Sequence, residues 1–107
     1  MKGPLIYYEI NHMYGANLSS TKRAGELYRS ILDDINLGFN VEIDFAGVRS
    51  LSGNWAKNVF GHIIKKKGEE FFKNHILVTN TSKGIKKSIV DGIGKTIYEK
   101  NFSESFK

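Results

Sequence analysis

Three short apolar runs that read as strands alternate with three stretches whose apolar residues recur at helical spacing, and this alternation restricts the chain to an α/β fold. The first run, Leu5-Ile6-Tyr7-Tyr8-Glu9-Ile10, is rich in β-branched and aromatic residues and predicts a strand. Asn11 to Leu18, with Gly15 and two Asn, predicts a loop. Ser19 and Ser20 then offer N-caps for a helix that carries Ala24, Leu27, Tyr28, Ile31 and Ile35 on one stripe, with Leu32 beside it. Gly38 stands where the end of that helix calls for positive φ. Asn40 to Phe45 alternates polar and apolar residues, which puts Val41, Ile43 and Phe45 on one face of a second strand.

Ala46 to Leu51 leads to Ser52, a second N-cap. The helix after it carries Trp55, Ala56, Val59, Phe60, Ile63 and Ile64, two adjacent stripes that predict the most buried helix of the chain. It ends in Lys65-Lys66-Lys67 before Gly68, charges that suit the negative end of a helix dipole. Glu69 to Asn74 predicts a short amphipathic connector anchored by Phe71 and Phe72. Ile76-Leu77-Val78 is continuously apolar, as expected of a central parallel strand. Ser82 is placed to cap a third helix with Ile85, Ile89, Val90 and Ile93 inward, its last turn weakened by Gly92 and Gly94. The polar tail from Asn101 to Lys107 is expected to fray. Strand and helix repeated in this way imply right-handed crossovers. The expectation is one small α/β domain with a core over about residues 5–98 and a mixed or mostly parallel sheet carrying packed helices.

With 40% hydrophobic and 25% charged residues, the 107-residue chain has ordinary globular usage and the means to build one core. No apolar run approaches the roughly 18 residues of a membrane span. The start, Met1-Lys2-Gly3-Pro4-Leu5, lacks the apolar region of a secretory signal. Cysteine is absent, which removes disulfides, thiol nucleophiles and cysteine metal sites. The expectation is a cytoplasmic protein without membrane association. Charge is uneven. Residues 1–54 hold five basic and six acidic side chains, a net of −1, whereas residues 55–107 hold eleven and five, a net of +6. Such a basic half suits nucleic acid, a membrane surface, an acidic protein, or solubility alone.

Beyond the carboxyl ends of the strands, where α/β sheets place their sites, lie Asp44, Ser50, Ser52, Asn54, Thr79, Asn80, Thr81 and Ser82. These groups could hold or accept a phosphate, and the same residue types are ordinary caps and turn formers. Gly94-Lys95-Thr96 is not a phosphate loop, because Ile89 occupies the position of its first glycine. Gly92-Ile93-Gly94 is not a dinucleotide fingerprint, because Ile97 stands at the third glycine. His12, His62 and His75 show no metal-ligand spacing, so neither a metal nor another cofactor is expected. Asp33-Asp34 reads as a solvated face. Trp55 is either core or, if exposed, an interface anchor. Lys65, Lys66, Lys67, Lys83, Lys86 and Lys87 could converge into a basic patch.

The segment Asp44-Phe45-Ala46-Gly47-Val48-Arg49-Ser50-Leu51-Ser52-Gly53-Asn54-Trp55-Ala56, followed by Phe60-Gly61, resembles the STAS-like domain family of uncharacterised prokaryotic proteins (the DUF4325 type). That family shows a strand ending in Asp-Phe, a Gly-Val, a Ser-rich turn, and a helix with an aromatic-Ala pair and a Phe-Gly. Leu18 to Leu27 resembles its first helix start, and the likeness spans about residues 5–95. More distantly, the segment is similar to anti-sigma factor antagonists, whose turn carries a phosphorylatable Ser next to an Asp. Here Ser52 falls at the Asp position, and Gly53 and Asn54 fall where the serines would be.

The resemblance implies a non-catalytic regulatory module that docks on a protein partner such as a kinase-like ATP-binding protein. Its contact or switch residues would be Asp44, Arg49, Ser50, Ser52, Gly53 and Asn54. The alternative is a basic nucleic-acid-binding protein resting on the +6 half. A small phosphotransfer or hydrolytic enzyme ranks third, since no base accompanies a nucleophile.

Overall fold

In the computed structural model, which describes residues 3–94, the three long strands lie side by side and all parallel in the order β1–β3–β5: Leu5–Glu9, Asn40–Asp44 and Ile76–Thr79. The order never reverses. A right-handed crossover repeated in one direction returns each connecting helix to the same face of the sheet. The register agrees. Tyr8, Ile43 and Val78 lie abreast and are buried, as are Val41 and Ile76 one step behind them. On the opposite face Tyr7, Glu42 and Leu77 lie abreast, and Tyr7 is 52% and Leu5 48% exposed. The chain is thus a small two-layer α/β domain with its core between one sheet face and the helices.

Of those helices, α2 (Thr21–Asn36) follows its sequence pattern. Ser20 Oγ accepts the Arg23 N–H at 3.1 Å, and Ala24, Leu27, Ile31 and Ile35 are buried. Asn11 to Leu18 is not wholly a loop, however. Ile10–Tyr14 forms a short helix, α1, in which Ile10 is buried rather than ending the strand. Asn17–Leu18 forms a two-residue strand, β2, pairing in parallel with β4 (Ser50–Leu51) inside what the sequence reads as a connection. Elements this short carry no period to detect.

The second long helix departs from expectation too. It comprises α3 (Gly53–Ala56), a π turn (Lys57–Gly61) and α4 (His62–Lys67). Its apolar pairs recur every four residues, a step that drifts roughly 40° per repeat on a 3.6-residue helix. The wider i→i+5 turn takes up that drift. Trp55, Ala56, Val59, Phe60, Ile63 and Ile64 are therefore all buried.

The expected connector is a helix, α5 (Glu69–His75), in which Phe72 is buried while Phe71 stays at the rim, its ring stacked against His75. β5 is an edge strand and β3 is central, the reverse of the reading from hydrophobicity. Leu77 points away from the core and is half-buried, whereas Asn40 and Asp44 on β3 are buried polar residues. In α6 (Lys83–Ile93), capped by Ser82, the inward positions are Ile85, Ile89 and Ile93, and Val90 sits on the flank. No helix among the described residues is long and apolar enough to cross a membrane. Lys95, Thr96, the end of the expected core to 98 and the tail 101–107 lie outside the described residues.

Candidate functional site

β3 ends on Asp44, only 6% exposed, whose carboxylate ties this strand to the middle of β1 and to the residue after β5. Oδ1 accepts the Ala46 backbone N–H at 2.8 Å and Asn80 Nδ2 at 2.9 Å, and Oδ2 accepts the phenol of Tyr7. Burial opposes the charge, but the bonds from Tyr7, Asn80 and Ala46 outweigh it and hold the carboxyl below its usual range. The same bond to Asp44 is the main cause that pushes the Tyr7 phenol up to about 12. Asn80 holds φ 56°, a conformation Asn tolerates better than most residues, and its amide bond to Asp44 reinforces it. Beside this node, Thr79 Oγ1 donates to Glu42 at 2.9 Å.

The bond from Ala46 starts a turn closed by Val48 N–H on Phe45 O at 2.9 Å. Gly47 sits in it at φ 81°, where a Cβ would meet Asn11 Nδ2 at 2.5 Å. The chain then enters Arg49–Asn54, a stretch fastened along its length. Arg49 and Ser50 N–H groups donate to Ala16 O at 2.7 and 3.1 Å, and Ser52 N–H donates to Leu18 O at 2.9 Å. Ser50 Oγ donates to Asn17 Oδ1 at 2.8 Å. Leu51 is buried below, against the same layer as α6.

Ser52 Oγ accepts the Trp55 N–H at 3.1 Å, which makes it the N-cap of α3. Trp55 takes the core alternative. It is buried, with its ring edge-on to Phe45 and Phe60 at 6.1 and 6.4 Å. Arg49, Ser50, Gly53 and Asn54 face solvent, and Asn54 O accepts Asn58 Nδ2 at 2.7 Å. Ser52, Gly53 and Asn54 form one wall of a shallow depression of about 650 Å³, opposite Asp91–Gly94 at the end of α6. Five of the six candidate residues thus share one surface. Asp44 reaches it only through the 45–48 turn, its side chain held by Tyr7 and Asn80 at the sheet end.

The lysines fall into two sets. Lys65 and Lys66 are exposed on α4, while Lys67 lies 5.5 Å from the centre of the Phe71 ring. Lys83, Lys86 and Lys87 open α6, with Lys87 Nζ 2.9 Å from Asp91 Oδ2. Sequence reasoning missed Tyr7 and Asn80 as the partners of Asp44. It also missed Lys57 and weighed His62 only as a metal ligand; both join Lys65 around a depression of about 410 Å³ beside the π turn. Among the described residues, no group of three or more His, Asp or Glu could hold a metal ion.

Residues 24–86 match the family model of a STAS-like domain of unknown function (DUF4325), a stretch that takes in most of α2, all of β3, the Arg49–Asn54 loop, the π turn and β5. No curated protein and no solved structure matches the chain. The match spans more than half of the 107 residues and contains the whole Asp44–Ala56 segment, so the chain belongs to the STAS-like DUF4325 family.

Proposed function

We propose that this domain is a non-catalytic regulatory module that binds a protein partner through Arg49–Asn54 and the start of α3. One observation carries the reading: the backbone of the loop is tied to Ala16–Leu18 while Arg49, Ser50, Gly53 and Asn54 face solvent. A surface ordered before binding loses little entropy on association. The polar groups that could do chemistry have structural duties. Ser52 caps a helix, Ser50 bonds Asn17, and Asp44 accepts three donors, an arrangement that favours docking over a phosphotransfer or hydrolytic role. The distant similarity to anti-sigma factor antagonists supports a kinase-like ATP-binding protein as the partner class, and a chain without cysteine suits a cytoplasmic setting.

The nucleic-acid reading is weaker on the same surface logic, because Lys67 covers Phe71 and Lys87 pairs with Asp91.

The test is quantitative capture from host cytosol with wild type and with Arg49→Glu, a surface change that leaves the fold's contacts in place. A specific protein retained by wild type and lost from the variant is expected. Equal retention by both, or no specific protein at all, sinks the proposal.

A further inference from the structure

Three shallow depressions adjoin along one ridge of the helical layer. The first opens at Ser52, Gly53 and Asn54 and reaches Lys57. The second shares Lys57, Gly92 and Ile93 with the first and adds Gly61 and Ile64. The third shares His62 and Lys65 with the second and adds Tyr28 and Lys66. Shared walls make them one groove that starts at the Arg49–Asn54 loop and ends at the lysines of α4. The volumes are about 650, 410 and 400 Å³, enough for several side chains.

Both the charge and the floor of this groove are selective. Lys57, Lys65, Lys66 and His62 are exposed along it. Asp91 is the acidic residue in the lining, and Lys87 already neutralises it at 2.9 Å. The middle is apolar, floored by the largely buried Ile64 and Ile93 where Gly61 and Gly92 carry no side chains. A nucleic-acid strand would hold such a site by stacking a base on a free aromatic side chain. Tyr28, the aromatic beside it, already meets the His62 ring edge-on at 5.5 Å. A peptide with an apolar side chain flanked by carboxylates matches both features.

We infer that the groove receives an acidic segment of the partner protein, anchored by one apolar side chain between Ile64 and Ile93. This rests on the proposed binding role of the loop and names the chemistry of what binds beside it. Gly61 supplies a selective plug. A Cβ there meets its nearest neighbours, Lys57 and Ile93 side-chain atoms, at 3.5 and 3.9 Å, so a larger residue enters the groove without displacing backbone.

The probe is a short synthetic peptide with Asp and Glu on both sides of a single Leu, titrated into the full chain and followed by amide resonances. Shifts are expected at Gly61, Ile64 and Ile93, with binding weakened at higher salt. Lys65→Glu with Lys66→Glu, and separately Gly61→Leu, are each expected to weaken binding about tenfold while the chain stays folded. Should either variant melt early, Lys57→Glu supplies the same comparison. No shifts in the groove, equal binding of the peptide with Ser in place of Leu, or tighter binding of a single-stranded oligonucleotide would each overturn the inference. Capture separates the two levels. A partner lost by Arg49→Glu but kept by the double lysine variant leaves the loop reading in place and removes the groove. A partner kept by Arg49→Glu removes the loop reading itself.

Discussion

Ser52 shows how one hydroxyl can look like a switch and act as a cap. Its Oγ accepts the Trp55 N–H at 3.1 Å at the start of the helix that carries the largest core side chains. Ser52→Ala is expected to cost about 1 kcal/mol, and Ser52→Asp to be near neutral, because Asp caps well and favours the dipole. Thermal melting of both variants checks this. A large loss for Ser52→Asp would mean that the hydroxyl is required for something other than capping.

Two buried polar nodes make stability depend on pH at opposite ends of the scale. Asp44 is held below the ordinary 3.8 by its donors, although burial acts against them. Its contribution is therefore present above about pH 3.8 and is lost as pH falls through the depressed native value. Tyr8 behaves in the reverse sense. Burial, then its bond to Asp34 at 2.5 Å, push the phenol up to about 12, opposed by the bond with Ser30 at 2.8 Å. That contribution is complete below pH 10.0 and is lost as pH rises toward about 12. Tyr8→Phe is expected to lower stability at neutral pH by about 1–2 kcal/mol and to flatten the alkaline limb. Denaturant midpoints of wild type and variant between pH 7 and 12 measure both effects. An unchanged alkaline limb would show that the phenol does not contribute.

At the scale of elements, the close approach of α3 and α6 depends on glycine. A Cβ on Gly92 would lie 2.5 Å from Gly53 O and 2.7 Å from Ala56 Cβ. Helix propensity alone favours alanine there by about 1 kcal/mol, whereas overpacking costs about 1–3 kcal/mol. Gly92→Ala is expected to be destabilising on balance, by up to about 2 kcal/mol, as read from its melting midpoint. Phe60, packed at 5.9–6.4 Å between Trp55, Phe45 and Phe72, is the centre of the aromatic core. Phe60→Ala should cost about 3–5 kcal/mol. A variant that melts like wild type would place this helix the wrong way round.

The elements that periodicity made legible are those that span several repeats. The stripe of α2, the alternation of β3 and the isoleucines of α6 all stand where the residues point. What escaped was local or tertiary. β2 and β4 are two residues each and exist through pairing with each other. The π turn leaves only a four-residue recurrence, which a helical stripe also tolerates. The edge position of β5 was hidden because Leu77 makes that strand look buried on both faces. In the candidate site the loop and its cap were readable from Ser-Gly-Asn before an amphipathic helix. The donors on Asp44 come from residues 37 and 36 positions away and needed the parallel register.

Taken whole, the molecule has two unlike sides. Among the described residues, no element covers one face of the parallel sheet, where Leu5 and Tyr7 are exposed among Glu9, Glu42 and the Asp44 node. The helical side carries the loop and, among the described residues, Lys57, Lys65, Lys66, Lys83, Lys86 and Lys87. Parallel sheets are ordinarily covered on both faces, so the open one is the natural rival to the loop as a docking surface. Hydrogen exchange on the chain with and without its captured partner decides between them. Protection is expected to rise across Arg49–Asn54 and α3 while the amides of β1 and β5 stay as they were. Protection confined to β1 and β5, with Gly53 and Asn54 exchanging as in the free chain, would contradict the assignment of the loop as the binding surface.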